Sequence, residues 1–436
     1  MSDNSDCLSV TCQASPNIAL IKYWGKRNEE LILPDNDSLS ITLDLGELHS
    51  DTTVSTSSSM TCDTFYFDGI QQTKLSKRMQ KVLDEVRRRA KNDQIKFVEI
   101  RSHNTFPASS GLASSASAYA SLAIALTKLF NLENPQSTAA YLARIGSGLS
   151  KRMQKVLDEV RRRAKNDQIK FVEIRSHNTF PASSGLASSA SAYASLAIAL
   201  TKLFNLENPQ STAAYLARIG SGSAVRSVYG GFVRWSSEGE CLSSCIYPVE
   251  HWPELRLIIL IFNSSKKPVS STDAMQRTRE TSTLFQARLS TVNDKIEKLI
   301  QAIKIKDFNT FAKIVMMDSS QFHAVCMDTY PPVIYLNEQS KHLIDLVHAF
   351  NKTDENKTMK VAYTFDAGPN PFCFIREEHV DEFLSLLKHF YPSNNDNVHK
   401  QVSNIDGNFP SINLPIMANA LERIVLTKIG SGPKII

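Results

Sequence analysis

Apolar and polar positions alternate along Val10–Lys26, "VTCQASPNIALIKYWGK", with a break at Ser15-Pro16. That pattern predicts a strand followed by a second extended segment. "DTTVSTS" at Asp51–Ser57 and "TFYFDG" at Thr64–Gly69 read as hairpin strands, with Asp68-Gly69 as the turn. From Leu75 the period changes. A helix is predicted over Leu75–Ala90, a strand over Lys96–Arg101, then a Gly/Ser loop, a helix over Ser114–Phe130 and a short helix near Ser137–Arg144. "GGFVRW" at Gly230–Trp235 and "LRLIILIF" at Leu255–Phe262 are strands, and helices dominate Thr272–Gln321. "MKVAYTF" runs into the turn "DAGPN", and the strand "FCFIRE" precedes a helix over Glu377–Phe390. Strands and helices mix without strict βαβ order, which predicts an α+β protein of two lobes.

The predicted pattern over Leu75–Gly148 then repeats. Leu149–Gly222 is identical to it in all 74 residues. Solenoid repeats are shorter, occur three or more times, and drift where solvent rather than packing faces the side chain. Here even the exposed charges of "KRMQKVLDEVRRRAKNDQ" match, so the repeat reads as a duplication with one copy surplus. The stretch "GSGSAVRS" is complete only at Gly220–Ser227, because the first "GSG" runs into Leu149. The second copy is therefore expected to form any site in this region. The chain would leave the fold near Lys74/Leu149 or in the polar turn Asn92–Asp93.

The duplication changes the charge reading. Each copy carries eleven Lys/Arg against five Asp/Glu, so of the whole chain's 49 and 44 a single-copy chain keeps 38 and 39. The net charge of +5 is a by-product of the repeat, and no nucleic-acid partner follows from it. "RRRAK" at Arg87–Lys91 reads as a solvated helix C-terminus. The length allows one large or two moderate domains, without a Pro- or Ser-rich linker between them. The N-terminus has neither a basic nor an apolar signal region, and no apolar run reaches 18 residues. Neither a secretory signal nor a membrane span is expected. Seven scattered cysteines suggest reduced thiols in a cytosolic setting. Cys241 and Cys245 lack a second ligand pair at zinc spacing.

Four short stretches carry candidate chemistry. In "PASSGLASSASAY", Gly185 permits a tight turn, and Ser188 and Ser189 open a helix whose N–H groups and dipole favour an anion. The loop lacks the Lys-Ser/Thr of a Walker motif, and its small residues could equally let an apolar helix pack closely. "NIALIKYWGK" sets Asn17, Lys22, Tyr23 and Lys26 on a strand-to-turn segment, where two lysines suit a polyphosphate. "GSGSAVRS" offers Ser221, Ser223 and Arg226, whose planar fork matches a carboxylate. "YTFDAGPN" presents Asp366 on a turn stiffened by Pro369.

Together these stretches resemble the mevalonate diphosphate decarboxylase family of the galactokinase–homoserine kinase–mevalonate kinase superfamily. "NIALIKYWGKR", "PASSGLASSASAYA", "GSGSAVRSVYGGFV", "DSSQFHAVCMDTYPPVIYLN", "YTFDAGPN" and "IGSGP" occur in the family's order and span nearly the whole chain once one copy is set aside. The chain has "ASSGLASSA" where the family has "TAAGLASSA", and Val225 where it has Cys or Ser.

The resemblance implies a ribosomal-protein-S5-like N-terminal lobe, a ferredoxin-like C-terminal lobe and a cleft between them. The expected division is 1–74 with 149–250, 251–390, and a C-terminal segment 391–436 returning to the first lobe, leaving 75–148 surplus. The implied reaction is ATP-dependent conversion of mevalonate 5-diphosphate to isopentenyl diphosphate, with Mg²⁺ on the nucleotide, in a cytoplasmic homodimer. By similarity, Asp366 is the base or orienter for the substrate's tertiary hydroxyl, with Lys22 near the reacting centre. Arg226, helped by Asn17 and Ser223, would hold the carboxylate, and Tyr23, Lys26 and Ser221 the diphosphate. Ser176, Asn178, Gly185, Ser188 and Ser189 would face ATP. Their duplicates Ser102, Asn104, Gly111, Ser114 and Ser115 would be surplus. Two alternatives remain: a related small-molecule kinase that stops at phosphorylation, and a chain inactivated by its duplication.

Overall fold

The computed structural model describes residues 8–28, 32–46, 48–56, 64–67, 70–71, 150–164, 172–178, 188–238, 243–262, 269–353, 358–395, 398–399 and 412–436. The first copy of the repeat, with its predicted helices and strand, lies outside them. So does the Asp68-Gly69 turn.

The alternating N-terminal segment forms β1 (Leu8–Ala14) and β2 (Asn17–Ile21), with the break at Ser15-Pro16 as predicted. Strand β1 joins a six-stranded sheet with β6 (Ser50–Thr56), β7 (Thr64–Phe67), β8 (Ile70–Gln71), β9 (Glu173–Asn178) and β16 (Lys434–Ile435), in the order β16-β1-β6-β9-β7-β8. Strands β6 and β7 are not hairpin partners, because β9 lies between them, antiparallel to β6 and parallel to β7. The hairpin partner of β7 is β8, with Phe67 opposite Ile70 across the Asp-Gly pair. Strand β9 belongs to the second copy of the repeat.

Three helices come from that copy, α1 (Ser150–Arg163), α2 (Ser188–Leu203) and α3 (Pro209–Gly220); α2 lies against the sheet, and α1 and α3 pack on α2 and on each other. Buried Val156, Val160, Ala194, Ala197, Leu200 and Leu216 belong to one apolar cluster. Small residues let α2 approach β6 closely enough for hydroxyl pairing. Ser50 Oγ lies 2.7 Å from Ser191 Oγ, and Thr52 Oγ1 lies 2.6 Å from Ser195 Oγ, one helical turn along.

A second, four-stranded sheet runs β11-β10-β5-β2, built with β5 (Ser38–Thr42), β10 (Phe232–Trp235) and β11 (Ser243–Tyr247). The β5 sequence "SLSIT" alternates, as a strand with two different faces must. Leu39 and Ile41 enter the larger core, whereas Ser38 and Thr42 bond to the short helix α4 (Ala224–Ser227).

The C-terminal lobe is an antiparallel sheet, β13-β14-β12-β15, formed by β12 (Leu255–Ile261), β13 (Val361–Phe365), β14 (Pro371–Arg376) and β15 (Arg423–Lys428). Strand β12, "LRLIILI", is buried at all but one position, as an inner strand of an enclosed sheet requires. Helices α5 (Ser271–Thr281), α6 (Thr283–Lys304), α7 (Phe308–Asp328), α8 (Glu338–Asn351) and α9 (Val380–Phe390) complete the lobe. The predicted helix at Glu377 begins with a 3₁₀ turn over Val380's three preceding residues. After β15, Ile429 bridges to Leu43 before β16 pairs with β1. The architecture is α+β with two sheet-bearing lobes.

Candidate active site

The two lobes meet where β2 and β13 end. Lys22 follows β2 directly, and Asp366 follows β13. Lys22 Nζ donates to Asp366 Oδ1 over 2.7 Å, with side-chain exposures of 3% and 26%. The lysine is buried and the carboxylate is partly exposed. Burial pushes the Lys22 pKa down, and the Asp366 charge and hydrogen bond oppose it.

The turn bearing Asp366 is tied at several points. Gly368 N–H donates to the Asp366 carbonyl (2.7 Å), Phe262 N–H donates to Asn370 Oδ1 (2.9 Å), and Ser340 Oγ donates to the Pro369 carbonyl (2.8 Å). Asp366 is therefore presented by a fixed turn, as "DAGPN" predicts. On the opposite side, the β2–β5 register shifts between Ala19 and Ile21. A bulge of this kind re-aims the residues that follow it.

Arg226 is buried on α4. Its Nε donates to Asn17 Oδ1 (3.0 Å), and its Nη1 donates to Ser38 Oγ (2.8 Å). Asn17 Nδ2 in turn donates to the Ser223 carbonyl (3.0 Å) and to Ser227 Oγ (2.7 Å). The Trp235 ring lies 5.8 Å from the guanidinium carbon. Burial pushes the Arg226 pKa down to about 10, while the Asp366 charge supports its protonated form. Arg226, Lys22 and Asp366 therefore share one electrostatic site. Tyr23 packs on Trp235 with ring centroids 4.8 Å apart, and Ser221 and Lys26 are buried. Gly220 presses against the Tyr193 ring, where any Cβ would collide. That close approach explains the glycine opening "GSGSAVRS".

Ser188 and Ser189 open α2, as predicted. Ser176 and Asn178 lie on β9, opposite Thr52 and Ser50. Gly185 lies outside the described residues, as do Ser102, Asn104, Gly111, Ser114, Ser115 and Cys241. Cys245 is an exposed free thiol.

Sequence reasoning missed the layer behind Lys22. Asp318 on α7 and Arg288 on α6 form a fully buried two-pronged ion pair, at 2.8 Å and 3.0 Å. Asp318 Oδ2 accepts the Lys22 N–H (2.8 Å). The Lys22 carbonyl accepts from Arg288 Nη2 and from Asn36 Nδ2, both at 3.0 Å. Burial pushes the Asp318 pKa up, but the Arg288 charge and hydrogen bonds prevail and hold it below the usual range. Asp318 opens the quoted stretch "DSSQFHAVCMDTYPPVIYLN". Its partner on another helix leaves no local mark in sequence.

A description of the mevalonate 5-diphosphate decarboxylase C-terminal domain matches residues 257–436, the part carrying Asp318 and Asp366. The diphosphomevalonate decarboxylase-like N-terminal domain matches 14–150 and again 149–246. The chain belongs to the diphosphomevalonate decarboxylase family. The diphosphomevalonate decarboxylase of Danio rerio is 35% identical over 451 aligned positions, covering 100% of this chain and 95% of that protein. Among solved structures, the mevalonate diphosphate decarboxylase of Trypanosoma brucei superposes with a TM-score of 0.72 at 29% identity, over 98% of both chains. A third relative, solved in complex with MVAPP, AMPPCP and magnesium, has a TM-score of 0.65 at 26% identity over 99% of both chains. The two lobes and their cleft are thus those of the family.

Proposed function

We propose that this decarboxylase-family chain converts mevalonate 5-diphosphate to isopentenyl diphosphate, using ATP and releasing ADP, phosphate and CO₂. The observation that carries the reading is the Lys22–Asp366 pair at 2.7 Å, within the electrostatic reach of buried Arg226. Phosphoryl transfer mostly needs positioning and charge neutralisation. Asp366 aligns the tertiary hydroxyl and accepts its proton as that oxygen takes the γ-phosphoryl group. Lys22 holds Asp366 in place through their 2.7 Å hydrogen bond. Loss of the new phosphate leaves an electron-poor carbon, and the adjacent C–C bond supplies its electrons to the double bond as CO₂ departs. Arg226, with Asn17 and Ser223, orients the carboxylate for that step. Tyr23, Lys26 and Ser221 hold the diphosphate, while Ser176, Asn178, Gly185, Ser188 and Ser189 face the nucleotide.

Among the described residues no three His, Cys, Asp or Glu side chains form a metal cage. Magnesium bound with the nucleotide would supply charge neutralisation at its phosphates.

One copy of the repeat suffices in this reading. The second contributes β9 and α1–α3, and the N-terminal family description aligns once through each copy. The working division is 1–74 with 149–250, then 251–390 and 391–436. The family resemblance supports a cytoplasmic homodimer. Among the described residues no helix is long and apolar enough to cross a membrane.

The test is simultaneous measurement of ADP and CO₂ from mevalonate 5-diphosphate. Equal yields are expected, and ADP without CO₂ would make the chain a kinase. Arg226→Lys keeps the charge but loses the fork, so CO₂ release should fall at least ~100-fold.

A further inference from the structure

The peptide unit of Lys22 is held in an uncommon way. Just beyond the bulge in β2, its N–H is bound by Asp318 and its carbonyl by Arg288, two side chains already locked to each other. Asn36 adds a second donor to the carbonyl, and its Oδ1 accepts Trp24 N–H at 3.4 Å. Lys295 and Gln321 close the far side of the cluster. Arg288 Nη1 lies 2.9 Å from Gln321 Oε1, Lys295 Nζ bonds the same oxygen, and Lys295 Nζ lies 3.4 Å from Asp318 Oδ1. Both members of the central pair have side-chain exposures of 0%.

Stability alone is a poor reason for such an arrangement. A buried ion pair recovers little more than its own desolvation cost, and apolar residues of similar volume often serve equally well. What an apolar pair cannot do is grip both polar groups of one backbone residue in a segment without regular secondary structure. Lys22 is that residue, and its ammonium meets Asp366 on the other lobe.

We infer that Asp318 and Arg288 are positioning residues for the reaction: as a rigid two-point clamp on the Lys22 backbone, they set where the lysine ammonium meets Asp366. The inference rests on the reading of Lys22 and Asp366 as the reacting centre. The charged and titratable groups facing Lys22 are Asp366 beyond β13, Asp318 and His323 on α7, Arg288 on α6, and Arg226 on α4. Asp318 is thus a negative neighbour that favours the charged lysine as well as a backbone acceptor.

Two variants test the clamp. Arg288→Lys keeps the buried positive charge but cannot span both Asp318 and the Lys22 carbonyl. The pair Asp318→Leu with Arg288→Met removes the ions together, so that no charge is left buried alone. For both, kcat should fall about 10- to 100-fold while KM for mevalonate 5-diphosphate and for ATP stays within about threefold. A third variant, Asp318→Asn, retains an acceptor for the Lys22 N–H but loses the charge. The alkaline limb of its kcat–pH profile should move to lower pH, and an unmoved limb would take the Asp318 charge out of the clamp's role.

Lys22→Met is the control. If it keeps full activity, the reading of the site fails, whatever the clamp variants do. If Lys22→Met is inactive but the folded double variant and Arg288→Lys keep native kcat, the clamp alone is refuted. Equal losses in kcat and in both affinities, accompanied by a lowered unfolding temperature, would also overturn it, since that is the signature of a merely structural pair.

Discussion

Asp366 carries the sharpest single-residue prediction. Its carboxylate is the more exposed half of the cross-lobe pair, and its turn is fixed by backbone and Asn370 bonds that do not involve its side chain. Asp366→Asn should therefore leave the turn intact and remove only the charge. Turnover is expected to fall at least ~100-fold with nucleotide affinity nearly unchanged. A single-turnover assay beside a nucleotide titration measures both, and near-native turnover would take Asp366 out of the mechanism. Asp366 and Arg226 were legible in sequence because each sits in a stretch whose glycines and proline have a local reason. Ser38, Asn36, Arg288 and Asp318 were not. Their roles come from contacts between residues far apart in the chain, and a serine in an alternating strand has no distinguishing neighbour.

At the scale of elements, periodicity identified the strands and helices of the second copy and β10, β12, β13 and β14, but not β5, β11, β15 or α8, and it did not report pairing. The second copy's helix predicted at Ser188–Phe204 is α2, nearly to the residue. The supposed β6–β7 hairpin is split by β9, a strand supplied more than a hundred residues later. No alternation pattern reports such an insertion.

Helix α7 carries a consequence of its burial. His323 is enclosed by Phe322, Tyr335 and Phe365, and its Nε2 has no hydrogen-bond partner. Burial, and secondarily the Lys22 charge, pushes its pKa from 6.5 down to about 3. The folded protein therefore keeps this ring neutral while the unfolded chain binds a proton below about pH 6.5. Stability is fully present above that value and is lost as the pH falls towards about 3. Between pH 7 and pH 5 the ring should cost roughly 2 kcal/mol. Urea unfolding at the two pH values should show that difference in the native protein, and His323→Gln should lack it. An unchanged pH dependence in the variant would assign the acid sensitivity elsewhere.

At the scale of the whole molecule, the second copy of the repeat supplies strand β9 and helices α1–α3. Deleting Leu75–Gly148 should therefore yield a chain with decarboxylation at least equal to that of the full chain, and with higher soluble yield. Size-exclusion chromatography and the CO₂ assay test this together. Loss of activity on deletion would make the first copy an integral part of the fold. The route taken after β15 bears on synthesis as well as on architecture. Strand β15 completes one edge of the C-terminal sheet, and β16 then pairs with β1, near the opposite end of the chain. Ile436 N–H adds a last 3.0 Å bond to the Thr11 carbonyl. A ribosome moving from one end to the other thus exposes β1 first and delivers its outer neighbour only after every other described element has emerged. Until β16 emerges, that strand edge is open to pairing with a neighbouring nascent chain, so the yield of native protein should depend on translation speed and on chaperone supply.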